Sequence, residues 1–256
     1  MTSISGNWLE NRSEEFKASL AFSTRLPLVG ATLQAATALA NAAWAFPVTG
    51  LIVGLIGALV YALAHRLGLP AWPAATLSVA ATLAVTGALH EDGLADTADG
   101  FGGGRSRDAK LDIMRDSRTG AYGVCALVLI LLLRTAALAS FADTYAVVWA
   151  LLASHAAARA AMVTIMWLLP PARSDGLSFE AGGPPGEALA AAAAIAFVVL
   201  LFCLHPMRGF IAALVLIAII ALMAWLAMRQ IEGQTGDVLG AVEQVGEIAV
   251  LLVALA

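Results

Sequence analysis

The sequence predicts an all-α fold: one polytopic bundle of about seven membrane-spanning helices, six to eight, forming a single domain over residues 1–256. Three observations predict it. Basic residues number 14 and acidic residues 18, so charged groups make up only 12% of the chain, against roughly 25% in an ordinary soluble domain. Hydrophobic residues reach 61% and the mean hydropathy is +0.86, so a water-soluble globule of this composition would expose large apolar patches. The apolar residues also fall in Ala- and Leu-rich runs of about 20, the length that crosses a bilayer as a helix, whereas barrel strands would alternate. A helix satisfies its own backbone hydrogen bonds in hydrocarbon, and an open strand does not. This composition excludes a soluble globule, a disordered chain and a nucleic-acid binder. Cys125 and Cys203 both lie in apolar runs and read as small core residues without a disulfide framework.

Taken in order, residues 1–28 form an interfacial N-terminal segment in which Trp8, Leu9, Phe16 and Leu20 mark an amphipathic helix. Its charges, Glu10 to Arg25, leave no apolar core for a secretory leader. Residues 30–46 carry Gln34 and Asn41 and stop at Pro47, which predicts a short or re-entrant helix. Spans follow at 47–64, 70–89, 120–140, 145–169, 187–204, 209–228 and 237–256. With the N-terminus inside, ten Lys and Arg fall on the cytoplasmic side and only Arg66 and Arg208 on the other. This asymmetry places the loops at 90–119, 170–186 and 229–236 together on the cytoplasmic face.

The polar character concentrates in one loop. His90 to Gly120 holds seven acids and five bases, 12 of the chain's 32 charges in 31 residues. Asp92, Asp96 and Asp99, spaced four and three apart, share one face if a helix continues the second span, with Glu91 beside them. Unpaired like charges at that spacing repel, and a divalent cation relieves the repulsion. Hard carboxylate oxygens without Cys favour Mg²⁺, which characteristically shares itself with substrate phosphates. Gly100, Gly102, Gly103 and Gly104 permit close backbone approach, and Arg105, Arg107, Lys110, Arg115 and Arg118 can take phosphate oxygens. Asp108, Lys110 and Asp112 read equally as a solvated helix with ion pairs four residues apart. His90, next to the acids, is placed either for proton transfer or for an interfacial hydrogen bond.

Other polar residues lie on the same side. Arg159, about ten residues from the cytoplasmic end of its span and so roughly 15 Å deep, requires a partner or a polar cavity, and it shares a helix face with His155. Arg134, nearer the far side, reads as a snorkelling arginine. Arg173 follows Pro170-Pro171, and Asp237 opens the last helix behind a glycine-flanked turn that suits an anion. Both are expected at the site. Glu243 and Glu247, one turn apart, would face the same cavity.

The segments HEDGLADTADGFGG and LDIMRDSRTGAYG, with TRLPL at 24–28, FPVTGLIVG at 46–54, PARSDGLS at 171–178 and GQTGDVLGA at 233–241, resemble the cobalamin synthase family in content and order. The resemblance implies a multi-pass enzyme of the bacterial cytoplasmic (inner) membrane that requires Mg²⁺. It implies transfer of adenosylcobinamide phosphate from adenosylcobinamide-GDP to α-ribazole, or to α-ribazole 5′-phosphate, with release of GMP. On phosphoryl-transfer logic, Asp92, Asp96 and Asp99 hold the metal with Glu91, and one of these carboxylates or His90 accepts the proton of the attacking hydroxyl. Arg25, Arg105, Arg115, Asp116, Ser117, Arg118, Arg159, Arg173 and Asp237 are then the expected substrate contacts. A CDP-alcohol phosphatidyltransferase motif would have Arg where Asp96 stands. An ion-coupled transporter would carry its acids at mid-membrane within paired repeats. No feature of the sequence fixes an oligomeric state.

Overall fold

A computed structural model describes residues 4–27 and 37–256, and every regular element within them is helical. The helices are α1 (Ile4–Ser23), α2 (Thr37–Ala42), α3 (Phe46–Arg66), α4 (Ala71–Thr86), α5 (Leu89–Gly103), α6 (Arg107–Ile113), α7 (Ala121–Ser140), α8 (Thr144–Leu168), α9 (Leu177–Ala181), α10 (Gly186–Cys203), α11 (Pro206–Ile231) and α12 (Gly236–Leu255). Six stretches are long and apolar enough to span a bilayer, and the α4–α5 pair makes a seventh when counted as one broken span.

Two expectations need correction. Of the short or re-entrant helix expected at 30–46, the described part is the short helix α2, which runs into the first span rather than re-entering. A 3-10 turn at Ala43–Ala45 joins α2 to α3, and Leu39–Arg66 reads as one 28-residue span. Pro47 begins a helix here rather than ending one, because a first-turn proline lacks only an N–H that would have no partner anyway. Residues 30–36 lie outside the described residues. The acidic stripe also does not continue the second span. Gly87 (φ 66°) and Ala88 (φ 56°) both adopt the left-handed conformation that ends a helix, and α5 leaves at 90° to α4. Arg25 lies over this break, its N–H bonded to Val85 O at 2.6 Å and its side chain packed on Gly87. Asp92 N–H then donates to Ala88 O to start the new helix.

The core is built on α8 and α12, in which 78% and 72% of the apolar window is buried, compared with 22% in α10 and 17% in α11. The reason lies in side-chain size. Ala153, Ala156, Ala157, Ala158, Ala160 and Ala161 make α8 narrow enough for neighbouring backbones to approach closely. Close approach also fixes the position of α5 against α12. A Cβ on Gly93 would stand 2.8 Å from Asp237 O, and one on Gly240 would stand 3.0 Å from His90 O. Two glycines thus let the helix carrying Asp92 touch the first turns of the helix carrying Asp237. α10 and α11 expose Phe197, Val198, Phe202, Leu214, Ile217 and Leu222, as lipid-facing helices do.

Candidate active site

A cleft of about 260 Å³ opens at the charged end of the bundle, between α5, α8, α12 and the loop leading to α9. His90, Asp92, Arg173, Asp175, Ser178 and Asp237 contribute to its polar wall. The chain assembles it by pairing two loops. Ala172 N–H donates to Gln234 O (2.8 Å) and Gln234 N–H to Pro170 O (2.9 Å), so the residues after Pro171 lie alongside those that open α12. Arg173 thereby stands 3.5 Å from the Asp237 carboxylate and donates to Leu111 O at 2.9 Å. Its buried Nε has no partner. Thr235 caps α12 by accepting from Val238 N–H and donates its hydroxyl to Asp237.

Asp96 registers the charge density of this corner. Partial burial first, then the neighbouring Asp92, Asp237 and Asp99 carboxylates, push it up to about 7, against the opposing pull of Arg173. Acids arranged in this way suit a hard divalent cation. Asp92 and Asp96 have no arginine partner, whereas Asp237 is paired with Arg173, which also stands where the anion that such a cation would bring could reach it.

The stripe divides by orientation. Asp99 turns away to the start of α7, where it accepts the backbone N–H groups of Gly120 (2.6 Å) and Gly123 (2.9 Å). Glu91 turns inward and is buried, accepting from Arg134 at 2.8 Å and Gln244 at 3.1 Å. Among the expected phosphate contacts, Arg115 is held by Asp175 at 2.5 Å on the rim. Arg118 pairs with Asp116 and holds that carboxyl down to about 2. Arg105 and Ser117 are exposed, and Arg25 sits on the α4–α5 break. Arg107 serves as a tie instead: it reaches Ala172 O and Ile231 O and so binds α6 to the paired loops.

Beneath the cleft lies a closed polar network. Arg134, 2% exposed, contacts Glu91 (2.8 Å), Glu247 (2.9 Å) and Thr82 (3.1 Å). It does not snorkel. Arg159 contacts Glu243 at 2.8 Å and the His155 carbonyl at 3.1 Å, so it belongs to this network rather than to the cleft wall. His155, Glu243 and Glu247 come within 4.8 Å of one another, close enough for a metal. Nη1 of Arg159 already stands between Glu243 and His155 Nδ1 (3.3 Å) and supplies the positive charge there. Three carboxylates against two guanidiniums leave one surplus negative charge. His90 joins cleft and network: its Nδ1 lies 3.7 Å from Glu243, and its buried Nε2 has no partner. Sequence spacing could not pair Arg134 with Glu91 and Glu247. The signal available was the near balance of acids and bases within the apolar runs.

Comparison with known proteins points to one family. The family described as cobalamin-5-phosphate synthase matches residues 15–255. A Bradyrhizobium diazoefficiens protein named adenosylcobinamide-GDP ribazoletransferase is 52% identical over 248 residues, 97% of this chain and 95% of that one. A Mesorhizobium japonicum protein of the same name is 54% identical over 92% of this chain and 90% of its own, and an Azorhizobium caulinodans one is 46% identical over 92% of each. No solved structure matches.

Proposed function

The chain belongs to the cobalamin-5-phosphate synthase family, and from that premise we propose that its cleft joins adenosylcobinamide-GDP to α-ribazole, or to its 5′-phosphate, with release of GMP. It is a multi-pass membrane transferase of cobalamin synthesis. The observation that carries the site assignment is the meeting of Asp92 and Asp237 with Arg173 in one cleft, with Asp96 one turn along α5 and close enough to feel both carboxylates, on a chain whose relatives bear this activity in their names.

In our reading Asp92, Asp96 and Asp237 would hold Mg²⁺, which would neutralise the diphosphate and make GMP a better leaving group. The side chains do the rest. Arg173, with a free Nε, takes an oxygen of the phosphoryl group in transfer. The ribose hydroxyl forms its bond to the phosphorus that stays with the cobinamide, and the bond from that phosphorus to the oxygen of GMP breaks. His90, which burial keeps neutral, accepts the hydroxyl proton at Nε2, and Glu243 behind it partly offsets the cost of the imidazolium that forms. Asp99 and Glu91 are positioning residues, one holding the start of α7 and the other holding α5 to Arg134. The ten-to-two excess of basic residues supports a cytoplasmic orientation for the cleft, in the bacterial inner membrane. The test is GMP release by detergent-solubilised protein over a Mg²⁺ titration. Asp96→Asn should raise the Mg²⁺ requirement and cut turnover by 10²-fold or more, and near wild-type turnover at ordinary Mg²⁺ would remove Asp96 from the metal site.

A further inference from the structure

The cleft has an apolar side that phosphoryl transfer does not use. Behind the acidic wall its lining is Phe22, Leu89, Met162 and Leu239, and it continues into a narrow extension of about 40 Å³ bounded by Phe46 and Met166. Phe22 and Phe46 stack at 5.9 Å to form one wall. Met162, Leu239, Phe46 and Met166 are all at most 6% exposed. The slot thus draws on α1, α3, α8 and α12, and it shares Ser178 and Gly236 with the polar cleft. Polarisable sulfur beside aromatic faces at the end of a narrow apolar cavity suits a flat heteroaromatic ring.

We infer that the apolar side of the cleft, with this slot at its end taking the methyl edge, seats the dimethylbenzimidazole base of α-ribazole and thereby selects the acceptor nucleoside. The inference rests on the proposed function, which supplies the two substrates. Both present flat systems, and the slot discriminates among them. The corrin macrocycle, fringed with amides, is too large for a cavity of about 260 Å³. Guanine carries donors and acceptors on every edge, and burying them against Phe, Leu and Met would leave them unpaired. Dimethylbenzimidazole has no N–H donor once joined to ribose. Its two methyl groups gain from burial, and its single free ring nitrogen can accept from the Ser178 hydroxyl at the slot mouth, which in the free protein donates to Gln234 at 2.6 Å. With the base seated there, the ribose lies toward His90, Asp92 and Asp237, where the attacking hydroxyl is needed.

The test separates the two substrates kinetically. Phe22→Ala and Met162→Trp should each raise the KM for α-ribazole about tenfold or more, with the KM for adenosylcobinamide-GDP within about twofold of wild type. Benzimidazole riboside without the methyl groups should show a similar rise with the wild-type protein. Because a loss could reflect misfolding, Met162→Ala supplies a gain: it should use a bulkier naphthimidazole riboside with a higher kcat/KM than the wild type. Unchanged KM for α-ribazole in both slot variants, a rise confined to adenosylcobinamide-GDP, or no gain with the bulky base would each overturn the inference while leaving the proposed function standing. No GMP release by the wild-type protein from these two substrates would overturn the proposed function itself.

Discussion

Replacing Arg134 with methionine should cost this bundle more than any single surface change, and the cost follows from the buried network. The guanidinium is 2% exposed and meets Glu91 at 2.8 Å, Glu247 at 2.9 Å, Thr82 at 3.1 Å and Gln244 at 3.3 Å. Methionine preserves much of the volume but leaves three buried carboxylates facing one remaining cation at Arg159, with Glu91 and Glu247 both deprived of their arginine partner. Removing one member of a buried ion pair costs about 3–5 kcal/mol, most of it the penalty of the charge left behind. At roughly 2–4 °C per kcal/mol for a chain of this size, the melting temperature in detergent should fall by about 6–20 °C. The penalty belongs to the orphaned charge, so Arg134→Met combined with Glu247→Gln should recover a substantial part of the loss, although Glu247→Gln alone is itself destabilising. The measurement is a double-mutant cycle of melting temperatures followed by size-exclusion chromatography in one detergent. A drop below about 3 °C for the single variant, or strictly additive losses in the double, would refute the argument that paired charges hold α5, α7 and α12 together.

Three further outcomes follow from the site. GMP release should rise with pH through an acid limb near 7, because Asp96 must lose its proton to bind a cation and is pushed up to about 7; the limb should move to lower pH as Mg²⁺ is raised, and a limb indifferent to Mg²⁺ would assign it to another group. Asp99→Asn keeps one acceptor for the Gly120 and Gly123 N–H groups, so it should lower turnover severalfold without changing the Mg²⁺ dependence, whereas a tenfold rise in the Mg²⁺ requirement would make Asp99 a ligand. Gly93→Ala sets a methyl group 2.8 Å from Asp237 O and should push α5 off α12, raising the Mg²⁺ requirement about tenfold or more; an unchanged Mg²⁺ titration would mean that Asp92 and Asp237 do not act together.

The sequence was most legible where a single physical requirement dominates. Spans of about 20 apolar residues placed α3, α7, α8, α10, α11 and α12 within a few residues, because bilayer thickness and backbone satisfaction leave little choice. The approach of Arg173 to Asp237 was also legible, since charge sidedness alone brought their loops to one face. The heptapeptide-like spacing of Asp92, Asp96 and Asp99 was a weaker guide. It is true of α5 as a helix, but the direction of each carboxylate depends on what packs against that helix, and only tertiary structure sends Glu91 to Arg134 and Asp99 to the start of α7. The break at Gly87–Ala88 was hidden because a hydropathy window averages across it, and α9 is too short to carry a periodic signal. Arg134 was misread for a related reason: depth along a span can be counted from sequence, but the identity of the neighbouring helix cannot.

The buried network also constrains how the protein is made. Arg134 and Arg159 sit in α7 and α8, while Glu243 and Glu247 sit in α12, which follows them in the chain. Synthesis runs from the N-terminus, so two arginines reach the bilayer about a hundred residues before the acids that balance them, with only Glu91 already available. A nascent chain halted before α12 therefore holds unbalanced cations in hydrocarbon, a state with every reason to stay shallow or to be retained by the insertion machinery. Arrival of α12 supplies both carboxylates, and with them Asp237, in one step. Closure of the buried network and assembly of the cleft are in this way the same event, so a copy lacking α12 cannot present a partly working site.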